Sequence, residues 1–533
     1  MNKIKYCFSI ISCFIVPFLF GQETTVEKGF RAITSDAIRA QLGFLASDWT
    51  EGREAGERGE YLASDYIASM LQLYGVKPGG DHLSGMALPG ALPQERRSYF
   101  QNYVLLKTVP GEEHSLELTS RSGNEVRTTV FAYNVDFTIR PQFRSVQIDA
   151  PVVFAGYGFM NEKIKYNDFS KLDVKGKFIL RIAGYPAFAE KRLNPSEINS
   201  SMAAAEKYAR EMGAAGILEF DPAESFVGRP AAREFMNQSP AERTRETGRS
   251  LVRYSLPGKT FPDDMVHITI SVKVANEILK GSGIKIDDFL KRADSDQPIE
   301  IPSLSGRSII FKSEATTTQV AVRNVIGIIE GNNPDQVIVI GAHYDHVGIR
   351  NGYIWNGADD NASGTVGALT VARAIMATGQ KPEKTIIIAL WSAEEKGLLG
   401  SRYYVRNLGH LLKNIRLNVN FDMISRYISD DNKKGVEMTY TSSQPHFKDI
   451  TETNLRKYGI DLEVDYKPSD DPPGGSDHRS FVEAGVPVLK FKPGHREEYH
   501  TPYDEAETLD YDIMEKIIRI SFANIWELAN SNW

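Results

Sequence analysis

Cysteine is nearly absent from this sequence, and several common catalytic motifs are missing. Only Cys7 and Cys13 occur among the 533 residues, and both lie in an apolar segment at the start. Without that segment the chain can form neither a disulfide bond nor a thiol nucleophile. The sequence also lacks the full phosphate-binding motif Gly-x-x-x-x-Gly-Lys-Ser/Thr, a Gly-x-Ser-x-Gly elbow between a strand and a helix, and a His-Glu-x-x-His pair. The net charge of −7 gives no support for nucleic-acid binding, which normally requires a basic patch.

Residues 1–21 have the pattern of a cleaved signal peptide. Lys3 and Lys5 precede an apolar stretch over 7–20, which Pro17 interrupts and which is short for a membrane span. Lipoprotein processing at Cys13 is disfavoured because apolar residues continue after it. We therefore expect an exported, periplasmic or extracellular protein without a membrane anchor. Loss of the two lysines would change the net charge from −7 to −9.

The length of the chain predicts more than one domain, and the sequence changes character twice. We expect the main domain to comprise residues 22–144 and 301–533, interrupted by an inserted domain over 145–300. Within the insert, apolar runs predict strands at 151–154 and 177–181, and helical spacing predicts a helix over 202–212. The stretch 183–200 is predicted to lie outside the core.

The sequence from Val320 onward is typical of an α/β protein. Apolar runs of strand length alternate with helical patterns: the strands fall at 337–340, 385–390, 417–421 and 486–491, and the helices at 365–376 and 511–528. Polar motifs follow the first three strands directly. Ligands of open α/β sheets gather at the carboxyl ends of the strands, so a functional site is expected there.

Five polar side chains at such positions form a candidate metal-ligand set: His343, Asp359, Glu395, Asp422 and His500. Each has an ordinary alternative explanation, such as a helix cap, a helix-dipole effect or a hydrogen-bonded strand end. Two histidines and three carboxylates are too many for one zinc ion. They suit a pair of ions that share a bridging carboxylate.

The neighbours of these residues add functional detail. Glu394 is a second carboxylate beside Glu395, so one could bind metal while the other moves a proton. Asp345 stands two residues after His343, where it could anchor the other nitrogen of a metal-bound imidazole. We expect His346 to be a pocket or turn residue rather than a ligand. The segment 474–478 (Gly-Gly-Ser-Asp-His) is equally consistent with a surface turn and with a pocket wall.

Taken together, these motifs resemble the co-catalytic di-zinc aminopeptidases, the exported bacterial leucyl-type enzymes, whose relatives include glutamate carboxypeptidase, transferrin receptor and glutaminyl cyclase. The resemblance is carried by 343–345, 357–364, 394–395, 420–423 and 499–500, and extends to 52–56. It implies the zinc exopeptidase fold, α/β with a mixed central sheet flanked by helices. The insert resembles a mainly β protease-associated domain, most clearly at 156–158 and 207–220.

The resemblance also implies a ligand arrangement with two Zn²⁺ ions per chain. Asp359 would bridge both ions. His343 and Asp422 would complete one site, and Glu395 and His500 the other. Cobalt or manganese would also suit such a ligand set.

The resemblance also implies roles for three residues that are not metal ligands. Glu394 would be the general base and acid, Asp345 the residue that orients His343, and Tyr499 a hydrogen-bond donor to the tetrahedral oxyanion. A cis peptide bond between the two adjacent aspartates is common in the family, which points to the bond between Asp359 and Asp360.

The resulting hypothesis is a zinc-dependent exopeptidase that removes amino-terminal residues from peptides with free amino termini. Two alternatives remain open: a glutaminyl cyclase-like acyltransferase, and a non-catalytic peptide-binding protein of the same fold. The sequence does not distinguish aminopeptidase from carboxypeptidase or dipeptidase specificity, and it leaves the oligomeric state open.

Overall fold

The computed structural model describes residues 24–83, 97–140, 144–223, 252–258, 265–294, 304–350, 352–427, 429, 431–494 and 496–533. The predicted signal peptide and both cysteines lie outside these ranges. No helix within these ranges is both long enough and apolar enough to cross a membrane.

Helices occur throughout the described chain. Several begin where a Thr or Ser side chain accepts a hydrogen bond from the first turn, as Thr24, Thr34 and Ser271 do. In chain order the α-helices are α1 (Thr25–Ala32), α2 (Ser35–Leu45), α3 (Arg58–Leu73), α4 (Pro195–Glu211), α5 (Val272–Leu279), α6 (Ile286–Asp294), α7 (Gly364–Ala377), α8 (Leu399–Asn407), α9 (His446–Tyr458), α10 (His478–Val482) and α11 (Tyr511–Asn530). Shorter 3₁₀ and π-helical turns lie at Asp48–Arg53, Ala187–Lys191, Ala358–Ser363, Gly409–Asn414 and Ala506–Thr508.

The strands form one large sheet and two small hairpins. They are β1 (Lys77–Pro78), β2 (Phe100–Ser122), β3 (Glu125–Phe131), β4 (Phe137–Ile139), β5 (Val146–Phe154), β6 (Met160–Asn161), β7 (Tyr166–Asn167), β8 (Phe178–Ile182), β9 (Gly216–Phe220), β10 (Arg253–Ser255), β11 (Val266–Ile270), β12 (Arg307–Ile329), β13 (Asn333–His343), β14 (Gly348–Arg350), β15 (Tyr353–Trp355), β16 (Lys384–Trp391), β17 (Ile415–Phe421), β18 (Gly435–Tyr440), β19 (Glu463–Pro468) and β20 (Val488–Lys492). The large sheet has the order β19-β18-β20-β17-β13-β16-β12-β5-β8-β9-β11-β4, with β1, β2, β3 and β10 attached beside it.

The predicted mixed sheet flanked by helices is confirmed. Strand β13 pairs in parallel with β16 and β17, and β20 pairs in parallel with β17. Strands β12 and β18 add antiparallel pairs on either side of this group. Because alternate side chains of a strand face opposite ways, Ile338 and Ile340 pack with α7 and α11, whereas Val337 and Val339 pack with α8 and α10. The result is a three-layer arrangement with helices on both faces.

A second hydrophobic core lies beside the first. It includes side chains of β5, β8, β9 and β11 together with α5 and α6. Most of its residues belong to the predicted insert, but it also takes in residues of 116–139 and 304–311 on either side. This part of the chain therefore contains helices as well as strands.

Strands β2 and β12 connect the two cores. Each is 23 residues long, and they pair antiparallel from Phe100 opposite Val325 to Ser120 opposite Arg307. One end of this ribbon contributes Val325 to the first core, and the other contributes Leu118 and Phe311 to the second. A single two-stranded element is thus shared by both cores.

The prediction that 183–200 lies outside the core is wrong. Helix α4 begins at Pro195, earlier than expected, because Asn194 and Glu197 form a reciprocal capping box at its start. Ile198 and Leu193 are buried in the second core. The polar residues between them face outward and conceal the pattern in the sequence.

A buried arginine ties the beginning of the chain to the sheet. Arg53 donates through Nε to the carbonyl oxygen of Tyr344 at 2.7 Å, and through Nη2 to that of Gly357 at 2.9 Å. Its Nη1 donates to the carbonyl oxygens of Leu45 and Asn356. Burial lowers the pKa of Arg53 to about 10, so the group remains charged at neutral pH.

We expect Arg53→Met to destabilise the protein by about 3–5 kcal/mol, because it leaves buried carbonyl groups without a donor. The urea midpoint of unfolding measures the loss. Arg58→Met is the matched control, since Arg58 is exposed and, among the residues that the structure describes, pairs with Glu51 alone at the surface. Equal midpoints for the two variants would contradict this role of Arg53.

Candidate metal centre

The predicted site residues converge at one edge of the sheet. His343 is the last residue of β13, Asp422 follows β17 directly, and Glu395 follows β16 after a short turn. These three strands are parallel neighbours, so their carboxyl ends lie side by side. Asp360 and His500 approach the same place from the turn before α7 and from the loop before α11.

The first cluster consists of His343, Asp360 and Asp422. The Nε2 atom of His343 lies 3.4 Å from Asp360 Oδ1 and 3.6 Å from Asp422 Oδ1. The three ligand atoms lie within 4.8 Å of one another, which is a spacing that one metal ion could occupy.

The second cluster lies on the other side of Asp360. His500 Nε2 is 2.9 Å from Asp360 Oδ2 and 3.5 Å from Glu395 Oε1. His346 Nδ1 lies 2.8 Å from the same Glu395 oxygen, and His346, Asp360 and Glu395 form a second group with metal-ligand spacing. The two oxygens of Asp360 therefore face different clusters.

The structure corrects the expectation for Asp359. Its carboxylate points away from both clusters, accepts hydrogen bonds from Ser425 Oγ at 2.6 Å and Ser425 N at 3.1 Å, and faces Arg426. Adjacent side chains leave the backbone in different directions, and here Asp360 is the one directed at the histidines. The cis peptide bond likewise joins Asp360 to Asn361 rather than the two aspartates.

Asp504 positions this turn and was not found by sequence reasoning. Its buried carboxylate accepts the backbone N–H of Asp359 at 3.0 Å and that of Asp360 at 3.0 Å. Arg426 Nη2 lies 3.4 Å from the same carboxylate. The sequence signal is weak, because Asp504 stands in an ordinary Pro-Tyr-Asp-Glu loop.

Asp345 contacts His343 through its backbone rather than through its carboxylate. His343 Nδ1 lies 3.1 Å from the backbone carbonyl oxygen of Asp345 and 3.8 Å from its carboxylate. The carboxylate instead accepts the backbone N–H groups of Glu394 at 3.0 Å and Glu395 at 3.3 Å. Asp345 therefore fixes the His343 ring through its main chain and the Glu394–Glu395 turn through its side chain.

Glu394 is directed toward the space beside the first cluster. Its Oε2 atom lies 4.0 Å from His343 Nε2. Burial raises the pKa of Glu394 well above its ordinary value, and the nearby carboxylates of Glu395, Asp477 and Asp422 act in the same direction. A carboxyl group in this environment retains a proton more readily than a solvated one.

A cavity of about 430 Å³ opens onto both clusters. Tyr499 lines it and stacks on His500 with ring centroids 4.0 Å apart. Gly474, Gly475 and Ser476 form part of its wall, so the pocket-wall interpretation holds for residues 474–476 of the segment 474–478. The next residue, Asp477, is fully buried.

The protein thus has an α/β fold, and the two histidine–carboxylate clusters at the strand ends of its sheet form a candidate dinuclear metal centre. Residues 324–525, which carry these clusters, match the model of peptidase family M28.

The comparisons with individual proteins agree. The chain is 31% identical to a glutamate carboxypeptidase 2 homolog of Caenorhabditis elegans over 38% of its own length and 29% of the relative's. It is 34% identical to leucine aminopeptidase 2 of Arthroderma otae over 34% of each. The chain thus spans about a third of the length of these curated relatives. An aminopeptidase from Aneurinibacillus sp. strain AM-1 shares the fold, with a TM-score of 0.54 and 17% identity over 95% of this chain and 97% of that one.

Proposed function

We propose that the protein is a metallo-aminopeptidase that hydrolyses amino-terminal residues of peptides with a zinc pair. The observation that carries the proposal is the carboxylate of Asp360, whose two oxygens face two separate histidine-containing clusters. The names of the relatives, a leucine aminopeptidase and a glutamate carboxypeptidase homolog, support a peptide substrate. A shared carboxylate favours two ions over the single zinc of an acyltransferase of the glutaminyl cyclase type.

The donor set suits two divalent cations with nitrogen and oxygen ligands. We assign Asp360 as the shared ligand, with His343 and Asp422 on one side and Glu395 and His500 on the other. Concentrating so many buried carboxylates without cations is costly, because each would have to be protonated or paired. Bound cations would balance this charge. His346, whose Nε2 atom has no hydrogen-bond partner in the described chain, would hold Glu395 in place.

Four residues of the chain would have separate roles in the reaction beside the metal ligands. When bound, the cations would acidify a water molecule and polarise the scissile carbonyl group. Glu394 would accept a proton from that water and deliver it to the leaving amine. The Tyr499 hydroxyl would donate a hydrogen bond to the developing oxyanion. Asp345 and Asp504 would hold the turns that present Glu394 and Asp360.

Metal analysis combined with a substrate panel tests the proposal. We expect about two zinc ions per chain, hydrolysis of aminoacyl p-nitroanilides, loss of activity with a chelator and recovery on adding zinc. N-acetylated substrates are the control for a free amino terminus. A glutaminyl peptide that is cyclised rather than hydrolysed would favour the acyltransferase. A purified protein that binds no metal and cleaves no substrate would favour a non-catalytic binding protein.

We also propose the domain organisation of the chain and its export. Residues 22–144 and 301–533 would form the peptidase domain, and 145–300 a protease-associated insert that restricts entry to the cleft; the separate second core supports this division. Residues 1–21 would direct export and then be cleaved. Amino-terminal sequencing of protein recovered from the periplasm or medium tests the cleavage, and a chain that still begins at Met1 would refute it.

A further inference from the structure

Two lysines line the cavity beside the proposed metal ligands. Lys490 and Lys492 both belong to β20, and both border the same cavity as Glu394 and His500. Residues two apart on a strand face the same side. Lys490 lies opposite Asn420 of β17, and Phe491 lies opposite Phe421. Lys492 is therefore expected to lie beside Asp422, the next residue after β17. The register of the parallel strands thus fixes two ammonium groups on one wall of the cleft.

Neither ammonium group has a carboxylate within ion-pair distance in the described chain. Lys490 Nζ donates to the backbone carbonyl oxygen of Pro473 at 3.1 Å, and Lys492 forms no hydrogen bond or ion pair among the described residues. By comparison, Lys396 at the rim of the site is neutralised by Glu54 at 2.7 Å. The two cleft lysines therefore retain their hydrogen-bonding capacity on the cavity side.

An alternative explanation is that the lysines merely balance the charge of Asp422. Burial would raise the pKa of Asp422, but its contact with His343 and the positive charge of Lys492 together lower it. If Asp422 binds a cation, however, that cation already balances its charge. The lysines would then present an unbalanced positive charge to whatever fills the cleft, and such a surface attracts anions.

We propose that Lys490 and Lys492 form a subsite for a substrate carboxylate adjacent to the scissile bond. The proposal rests on the proposed peptidase function and narrows its substrates to peptides that carry a carboxylate close to the scissile bond. The carboxylate could come from an acidic first side chain or from the free carboxyl terminus of a dipeptide. Both sources present the same planar anion, which an ammonium group binds through charge-assisted hydrogen bonds.

Isosteric substrate pairs distinguish these sources. Glutamyl and glutaminyl p-nitroanilides differ only in the charge of the first side chain. Leu-Gly and Leu-Gly-amide differ only in the terminal carboxylate, and leucyl p-nitroanilide reports the peptidase activity itself. We expect the wild type to prefer the charged member of at least one pair by about 10- to 100-fold in kcat/KM, which corresponds to a charge-assisted hydrogen bond.

The variants identify the groups responsible. In the double variant Lys490→Gln/Lys492→Gln the preference should fall to near unity, with metal content measured in parallel. Lys490→Arg/Lys492→Arg retains the charge and should keep most of the preference. Lys467→Gln is the control, because Lys467 is exposed on β19 and pairs with Asp465 away from the cleft. Dissociation constants of the paired dipeptides, measured by calorimetry on Glu394→Gln protein, give a readout independent of turnover.

The outcomes separate the two proposals. Hydrolysis of leucyl p-nitroanilide with no preference for either charged substrate would overturn the subsite and leave the peptidase function intact. A preference that survives the double glutamine variant would also overturn it. Metal-loaded protein that hydrolyses no member of the panel would overturn the peptidase proposal itself.

Discussion

Replacement of Glu394 by glutamine is expected to lower kcat by about 10³-fold or more while leaving the metal content unchanged. Glutamine has nearly the same shape but can neither accept a proton from water nor pass it to the leaving amine. Glu394 lies 4.0 Å from His343 and is not part of either metal-ligand cluster, so its loss should not release metal. Steady-state kinetics and metal analysis on the same preparation measure both quantities.

Glu463→Gln is the matched control for this experiment. Glu463 is an exposed residue at the start of β19, remote from the cleft, so the substitution should not alter kcat. A Glu394→Gln enzyme with near-normal turnover would show that another group moves the proton. Loss of metal together with activity would instead place Glu394 among the ligands.

The second large effect is expected from Asp360→Asn. If both oxygens of this carboxylate are ligands, the substitution weakens both sites, and metal affinity should fall by more than about 100-fold, the upper range for residues that only support a ligand. Activity should fall with it. Equilibrium dialysis against zinc and the kcat of dialysed protein measure the two losses.

Asp359→Asn provides an unusually close comparison, because the two aspartates are adjacent. The Asp359 carboxylate accepts hydrogen bonds from Ser425 and faces Arg426, so its loss should lower the melting temperature without removing metal. The opposite pattern, with metal lost from Asp359→Asn and retained by Asp360→Asn, would restore the assignment suggested by the sequence.

The strands and the polar residues that meet at the edge of the sheet could be predicted because they depend on local signals. Buried parallel strands appear as continuous apolar runs, and the residues that follow them must meet at one edge of the sheet. His343, Asp422 and the Glu394–Glu395 pair were found in this way. Their identity as nitrogen and oxygen donors then limited the chemistry to hard or borderline metal ions.

The remaining features depend on contacts between distant segments. Whether Asp359 or Asp360 faces the histidines is decided by Asp504, which holds both backbone N–H groups from a position more than 140 residues away. Arg53 acts over still longer separations. The sequence predicts the start of helix α4 several residues too late, because its cap and its buried Ile198 lie within an otherwise polar stretch. Hydrophobic periodicity in the sequence does not predict such contacts between distant residues.

The long ribbon of β2 and β12 limits how the molecule could be shortened. Excision of residues 145–300 at their predicted bounds would leave the outer half of the ribbon in place. Leu116, Leu118, Ile309 and Phe311, now buried in the second core, would then lose most of their packing partners, and β12 would lose its partner β5 and present an open edge along 308–313. An open strand edge favours aggregation, so a stable shortened protein must have both strands trimmed together with the segment between them.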